Sequence, residues 1–431
     1  MKRVLIISYY WPPSGGSGVQ RWVKFAKYLP SLGWQPVIYT PENPELIVLD
    51  DTLGDEIPKS VEVVKTKIFE PYGIYRALSF KKGNKKKKKE VNPINAQKKS
   101  FGQRLSMWVR GNIFIPDPRC FWINPSVRFL KNYLKENPVD IIISTGPPHS
   151  MHLIARKLAK TTELPWIADF RDPWTKMFYF KHLNLSSWAR KKHIKLEKKV
   201  LNDATTVVAV SPLVQEEFQA MTKTPIHLIT NGYDGEDFEQ IVEADGFFNI
   251  THTGLFAADG NPTTLWKVLA EKSSNDEEFS KMLRLRLIGK TDEAIIQSIK
   301  EAGLNKNLID LGYKDHKTAV REQKASSILI LPLRKEPEYK ATLPGKLFEY
   351  LASKRPILGI GQKDGAMARI LAETKAGVVF DWEEKAYIKA YIDKSWKDFR
   401  SDNLESNTQN IEKYSRKNLS KEMVSLMDSL L

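Results

Sequence analysis

Cysteine is almost absent from this sequence. Cys120 is the sole example in 431 residues, which excludes any disulfide within the chain and points to a reducing, cytoplasmic setting. Long apolar runs are missing too. No stretch approaches the roughly 18–20 consecutive apolar residues of a membrane span. The early apolar run Val4-Leu-Ile-Ile is too short for the core of a signal peptide. A soluble protein, peripheral on a membrane at most, is expected. Acidic charge is in deficit: 51 Asp and Glu stand against 67 Lys and Arg, a net charge of +16. That surplus calls for anionic partners, whether nucleic acid, phospholipid or phosphorylated small molecules. No nucleic-acid reader motif accompanies it, so no nucleic-acid partner is expected. Neither Gly-x-Gly-x-x-Gly nor a Walker loop is present. What the chain does have is apolar substance, 42% of its residues with 10% aromatic, enough for two or three packed domains.

Lys2–Tyr9 has a continuous apolar centre, as a buried parallel strand does. Gly15, Gly16 and Gly18 separate it from a helix predicted over Val19–Leu32. Strand, glycine turn and helix suit an anion, because glycine admits close backbone approach and a helix N-terminus offers free N–H groups. A merely flexible turn is the plain alternative. Gln35–Thr40 and Val61–Thr66 read as the next strands. Residues 78–125 then form a basic and aromatic excursion. Nine lysines between Lys81 and Lys99 face Glu90 alone, and such a block cannot pack. Phe101, Leu105, Trp108, Ile113, Phe114, Phe121 and Trp122 follow, among Arg104, Arg110 and Arg119. The pairing suits an anionic membrane surface, and the same aromatics equally suit a core.

Val139–Thr145 is a further buried strand, and Gly146-Pro-Pro-His149-Ser-Met-His152 opens a helix at its carboxyl end, where open α/β sheets place ligands. No carboxylate or cysteine stands at ligand spacing beside the two histidines, so a substrate-facing role is preferred over a metal pair, with capping or core packing as the alternative. Asp169, Arg171 and Asp172 end another short strand. They are either a structural ion pair or an acceptor and catalytic shelf, and packing alone explains three charges there poorly. Trp188–Leu201 is a very basic helix that reads as a solvated face. Asn231-Gly-Tyr-Asp-Gly235 reads as an interdomain hinge.

From Phe247 the alternation of strand and helix begins again, with strands at Leu283–Gly289, Leu308–Tyr313 and Ile328–Leu333. The expected fold is therefore α/β, two doubly wound Rossmann-like domains with a cleft between them. The expected divisions are 1–235, 236–409 and a final helix over 410–431. Within the second array, Leu343-Pro-Gly-Lys-Leu-Phe-Glu-Tyr-Leu carries Pro344 and Gly345 at a helix start, and Lys346 and Glu349 three apart on one side. A lysine at a helix N-terminus suits a phosphate, and a carboxylate one turn on suits a pair of sugar hydroxyls. The bland alternative is a surface Lys–Glu pair.

Six segments in this order resemble the family-4 glycosyltransferases of GT-B type that build bacterial cell-surface polysaccharides. They are Trp11-Pro-Pro-Ser-Gly-Gly-Ser-Gly, Gly146-Pro-Pro-His-Ser-Met-His152, Asp169-Phe-Arg-Asp-Pro-Trp174, Asn231-Gly-Tyr-Asp, His252-Thr-Gly254 and Pro344-Gly-Lys-Leu-Phe-Glu-Tyr-Leu. The resemblance covers nearly the whole chain. It implies metal-independent, retaining transfer of a sugar from a nucleotide-diphosphate donor, without cofactor, to a glycan or lipid-linked acceptor; the charge surplus and the basic and aromatic segment over 81–123 suggest that this happens at the inner membrane face. It implies donor contacts from Gly16, Gly18, Thr253, Gly254, Leu343, Pro344, Gly345, Lys346 (diphosphate) and Glu349 (ribose). His149 or His152 would lie near the donor sugar, with Asp169, Arg171 and Asp172 on the acceptor side. The sequence departs from the family twice. Ala341 stands where a glutamate often meets the transferred sugar, and no basic residue follows the Thr253-Gly254 turn before Lys267, where an arginine often binds the diphosphate. Arg334, Lys335 or Lys340 are the candidates to replace that arginine. A catalytically degenerate nucleotide-sugar or phosphoglycan binder is the alternative.

Overall fold

The computed structural model describes residues 1–45, 49–50, 52–71, 101–404 and 406–431; the lysine block at 81–99 lies outside them. The chain divides into two compact units, Met1–Ile229 with Ser420–Leu431, and Thr230–Leu419.

In the first unit seven strands form one sheet: β1 (Lys2–Ile7), β2 (Trp34–Pro41), β3 (Glu62–Thr66), β4 (Ile141–Gly146), β5 (Trp166–Phe170), β6 (Thr206–Ala209) and β7 (Ile226–Leu228). Their spatial order is β3-β2-β1-β4-β5-β6-β7, parallel throughout. Sheet growth reverses between β1 and β4, which is where a doubly wound sheet binds its ligands. The apolar runs Val4–Ile7 and Ile141–Ile143 are fully buried, as expected of strands covered on both faces. Helices α1 (Ser17–Tyr28), α2 (Phe101–Asn112), α3 (Ile123–Glu136), α4 (Ser150–Thr162), α5 (Ser187–Asp203) and α6 (Pro212–Gln219) supply the covering layers. Helix α1 is shorter than its sequence pattern. Pro30 has no N–H to continue the ladder, and a 3-10 turn over Pro30–Leu32 takes over. Trp22, Trp34, Trp122, Trp166 and Trp174 are buried in this unit. At about 25 cal/mol per Å² over some 150–250 Å² each, aromatics of this kind dominate a core.

The aromatic stretch after residue 100 splits between the two fates open to it. Phe114, Ile115, Trp122 and Ile123 join the core, where Trp122 stacks on Tyr39 at 4.9 Å and its indole N–H reaches Thr66. Leu105, Trp108, Ile113 and Phe121 are exposed. Arg119 is buried, paired with Glu70 and lying 4.2 Å from the Tyr9 ring.

The second unit repeats the plan. Strands β8 (Phe248–Thr253), β9 (Leu283–Ile288), β10 (Leu308–Gly312), β11 (Ile328–Pro332), β12 (Ile357–Ile360) and β13 (Gly377–Phe380) lie in the order β10-β9-β8-β11-β12-β13. Growth again reverses beside the first strand, between β8 and β11. Helices α7 (Thr263–Asn275), α8 (Glu293–Glu301), α9 (His316–Lys324), α10 (Gly345–Ser353), α11 (Ala366–Thr374) and α12 (Lys385–Arg400) surround it, over a core that includes Phe248, Phe279 and Trp396. The expected hinge segment belongs with this unit. Tyr233 bridges Ser415, and Gly232 lies so close to the Tyr414 carbonyl that a side chain would clash. The same bridge, with Asn410 in the left-handed region, keeps residues 410–415 out of the last helix, which runs only over Arg416–Asp428.

Candidate active site

Two clusters form, one at each switch point. In the first unit the carboxyl ends of β1, β4 and β5 bring Gly18, His149, His152, Asp169 and Arg171 together. Gly146 ends β4, and a side chain there would strike both histidine rings, His152 Nε2 first. Gly18 plays the matching part after β1: a Cβ would run into the Arg171 guanidinium. Arg171 also donates to the Pro147 carbonyl. Gly16 has φ +98° and caps α1 without a side-chain bond, which leaves that helix end open.

His152 is anchored by Ser144, whose hydroxyl lies 2.8 Å from Nδ1 and also accepts the Trp166 indole N–H. Its Nε2 has no hydrogen bond, and burial pushes its pKa down to about 3. His149 is held differently. Neither ring nitrogen is hydrogen-bonded; the ring lies flat on Trp174, centroids 4.7 Å apart and 2° from parallel. Burial, then His152, Arg171 and His193, holds it well below the usual histidine range, so both imidazoles are neutral.

Trp174 is itself clamped. Its backbone N–H goes to Glu197 and its indole N–H to His193 Nδ1, 3.0 Å each. Since Nδ1 accepts, His193 carries its proton on Nε2 and gives it to the Gly111 carbonyl, 3.2 Å away. Thus the inner face of α5, basic outside, positions the platform under His149.

The three charges after β5 separate. Asp169 is fully buried: it takes bonds from Arg21, from the Trp22 indole at 2.9 Å and from Thr145 at 2.8 Å. Burial alone would raise its pKa, but Arg21 and these donors hold it below the usual range. Its geometry is that of the structural pair rather than of an acceptor shelf. Asp172 is half-buried with no hydrogen bond among the described residues, and desolvation, opposed by Arg171, pushes it up to about 6. A carboxyl in that state can exchange a proton near neutrality.

In the second unit the turn after β8 meets the start of α10. Thr253 gives its backbone N–H to the Tyr350 hydroxyl, 2.9 Å, and Gly254 turns the chain at φ +85°. Gly289 (φ +117°) lets the next turn approach it: a Cβ there would overlap the Gly254 backbone. Leu343 is buried, Pro344 precedes the first turn, and no side chain caps α10, so its N–H groups face outward beside Lys346. Lys346 is half-buried, and its ammonium lies against His252 Nε2 at 2.9 Å and the Leu255 carbonyl at 3.0 Å. Burial of the ammonium, opposed by Glu349, lowers its pKa to about 8. Glu349 accepts one bond, from Gln323 at 3.0 Å; Gln323 also bonds Thr253. The candidate replacements for the family arginine are all engaged by carboxylates: Arg334 by Asp259 at 2.9 Å, Lys335 by Glu383 at 2.8 Å and Lys340 by Asp364. Lys340 is exposed there, and Ala341 offers nothing polar.

Sequence reasoning gave no site role to His252, Trp174 or Tyr350, though they stand in its motifs, and did not single out Gln323 or His193. His252 carried a signal, its place in the His252-Thr-Gly254 segment at the end of β8. Gln323 did not, because its meeting with Glu349 and Thr253 depends on how α9 packs. Among the described residues no group of three or more His, Cys, Asp or Glu is placed to hold a metal ion.

Residues 97–237 match the model of Glycosyltransferase Family 4. The fold agrees over the full length with solved glycosyltransferase structures. Sucrose-phosphate synthase from Thermosynechococcus elongatus aligns with a TM-score of 0.66 at 13% identity, covering 100% of this chain and 99% of that one. The chain has the two-domain fold of the GT-B glycosyltransferases. Anabaena HepE, in complex with UDP, aligns at 0.64 with 13% identity and full coverage of both chains. WaaG, a glycosyltransferase involved in lipopolysaccharide biosynthesis, aligns at 0.58 with 14% identity over 98% and 99% of the two chains. No curated protein matches the chain. The chain thus has both Rossmann-like units the sequence suggested, seven- and six-stranded.

Proposed function

We propose that this chain is a glycosyltransferase that moves a sugar from a nucleotide-diphosphate donor to a glycan or lipid-linked acceptor, with retention of configuration and with protein groups, rather than a metal, meeting the leaving diphosphate. The observation that carries this reading is the meeting of Lys346, the uncapped N-terminus of α10 and the Gly254 turn, with Glu349 one helical turn on. As the donor bond breaks, negative charge gathers on the diphosphate oxygen. An ammonium and aligned backbone N–H groups stabilise that charge best where water is scarce. Glu349 keeps an oxygen for the ribose hydroxyls. The neutral His149, and His152 through its unbonded Nε2, suit contact with uncharged sugar, and Asp172 suits proton exchange with an acceptor hydroxyl. The UDP in the HepE structure supports a nucleotide-diphosphate donor here too. A thermal-shift screen of nucleotide sugars, followed by transfer to a lipid-linked acceptor, tests the proposal; release of free sugar without transfer, or no turnover of any bound donor, overturns it.

The acceptor side is proposed to work at an anionic membrane surface facing the cytoplasm. Among the described residues no helix is long and apolar enough to cross a membrane. The outer face of α5 carries Arg190, Lys191, Lys192, Lys195, Lys198 and Lys199, and none of the six forms an ion pair among the described residues. Trp188 is exposed at the start of that helix. Such a stripe is attracted to anionic lipid by about 1 kcal/mol per charge. A second reading, a degenerate binder without turnover, is favoured by Ala341 and by the carboxylates that occupy Arg334, Lys335 and Lys340; the same turnover assay separates the two.

A further inference from the structure

We infer that His252 is the positioning residue for Lys346, and that this pair makes binding of a diphosphate to the second unit draw in a proton. The inference rests on Lys346 being the diphosphate group, as proposed above.

His252 is the penultimate residue of β8 and is buried. Its ring is fixed by stacking on Phe256, centroids 4.1 Å apart, with Nε2 turned to the Lys346 ammonium at 2.9 Å. Gly254 turns the chain beside the pair at φ +85°, a conformation that favours glycine, and the lysine reaches the Leu255 carbonyl just past that turn at 3.0 Å. Lys346 therefore donates to two neutral acceptors. An imidazolium would set N–H against N–H, so His252 must be neutral, with its proton on the buried and unbonded Nδ1.

The charged and titratable groups around the pair are few. From α10 itself, Glu349 favours the ammonium; from β8, His252 offers a lone pair; Tyr350, on the buried side of α10, bonds Thr253 and stays neutral. Among the described residues no carboxylate touches Nζ, in contrast to Arg334, Lys335 and Lys340. The cation is thus held ready but short of an anion. A diphosphate at the turn supplies it: Nζ passes from His252 to a phosphate oxygen, and the ammonium form becomes strongly favoured. Binding then raises the pKa of Lys346 from its free value of about 8. The sign follows. Below that pH the lysine is already charged and affinity is at its plateau; as pH rises above it, binding must first draw a proton from water, and affinity falls by up to about tenfold per pH unit. This arrangement serves the turn after β8, where no basic residue stands between Thr253 and Lys267.

Two experiments on the intact chain test the inference. The first needs no nucleotide: NMR titration of protein labelled with 13Cε-lysine, with the Lys346 signal assigned by its loss in Lys346→Arg. Wild type and His252→Gln, whose amide oxygen still accepts, should titrate Lys346 near pH 8. In His252→Leu the released arm should titrate near the ordinary ~10.4. The second is calorimetry of UDP and GDP at pH 8.5 in buffers of different ionisation heat. Wild type should take up more than about half a proton per nucleotide, and His252→Leu close to none. At pH 7 His252→Leu should bind about tenfold more weakly, since a free lysine must be ordered on binding. A wild-type Lys346 that titrates near ~10.4, or nucleotide binding without proton uptake, overturns the inference while leaving the donor site intact. Nucleotide binding indifferent to Lys346→Ala overturns the donor site instead.

Discussion

Replacing Asp169 with Asn separates chemistry from architecture at the end of β5. Asp169 and Arg21 are both fully buried, and the carboxylate meets Arg21 at 2.9 Å and again at 3.3 Å. Arg21 also donates to the Ile229 carbonyl at 2.9 Å. An amide in place of the carboxylate keeps its shape, and its oxygen still accepts from Trp22 and Thr145, but it leaves a guanidinium in the core without its counter-charge. Breaking a buried pair from one side costs about 3–5 kcal/mol. For a unit of this size each kcal/mol lowers Tm by about 2–4 °C, so differential scanning calorimetry should show a loss of roughly 8–15 °C. The pH dependence has a definite sign. The folded-state pKa is depressed, so the contribution is complete above the unfolded value near ~3.9 and is lost as pH falls below it; the gap between wild type and variant should close in acid. Replacing both partners, Arg21→Met with Asp169→Leu, should cost less than the sum of the single changes. A variant that keeps its Tm within about 2 °C yet loses turnover would refute the reasoning and return Asp169 to the reacting groups.

Further outcomes follow from the same geometry. Gly18→Ala must push Arg171 aside, and we expect turnover to fall at least about tenfold, more than nucleotide affinity does, in steady-state kinetics. Trp174→Phe keeps a ring under His149 but loses the bond to His193; kcat should fall by about three- to tenfold with KM nearly constant, and an equal loss in KM would count against a positioning role. If ionised Asp172 takes a proton from the acceptor, kcat/KM should rise as pH passes about 6 and level off above it, and Asp172→Asn should lack that limb. Reversing Lys195, Lys198 and Lys199 to Glu should cut flotation with anionic vesicles by more than about tenfold while leaving neutral vesicles unbound; equal flotation would move the lipid contact away from α5.

Much of this architecture was legible because parallel strands buried on both faces leave continuous apolar runs. Val4–Ile7 and Ile141–Ile143 could be read directly, and the glycine and histidine motifs fell at strand ends, where a doubly wound sheet gathers its ligands. Lys346 and Glu349 could be found because helix geometry relates residues three apart. The partners were hidden wherever they depend on packing between distant segments. Arg21 meets Asp169 across the sheet, Gln323 reaches Glu349 from another helix, and nothing local distinguishes a buried carboxylate from a catalytic one. The basic helix α5 was read only from its outer face, since the bonds of His193 and Glu197 to the Trp174 segment exist only once that helix lies on the sheet. The segment after residue 100 was ambiguous for a related reason: aromatics look alike in sequence whether they fill a core, as Trp122 does, or stay exposed, as Trp108 does.

The central claim is that the start of α10 holds a nucleotide diphosphate through Lys346 and Glu349. Isothermal titration of UDP and GDP at pH 7 into wild type, Lys346→Ala and Glu349→Ala tests it most directly. Loss of a charge-assisted bond of about 1.5–3 kcal/mol should weaken nucleotide binding by roughly 10- to 100-fold in each variant, with Tm unchanged. Wild-type affinity in both folded variants would contradict it.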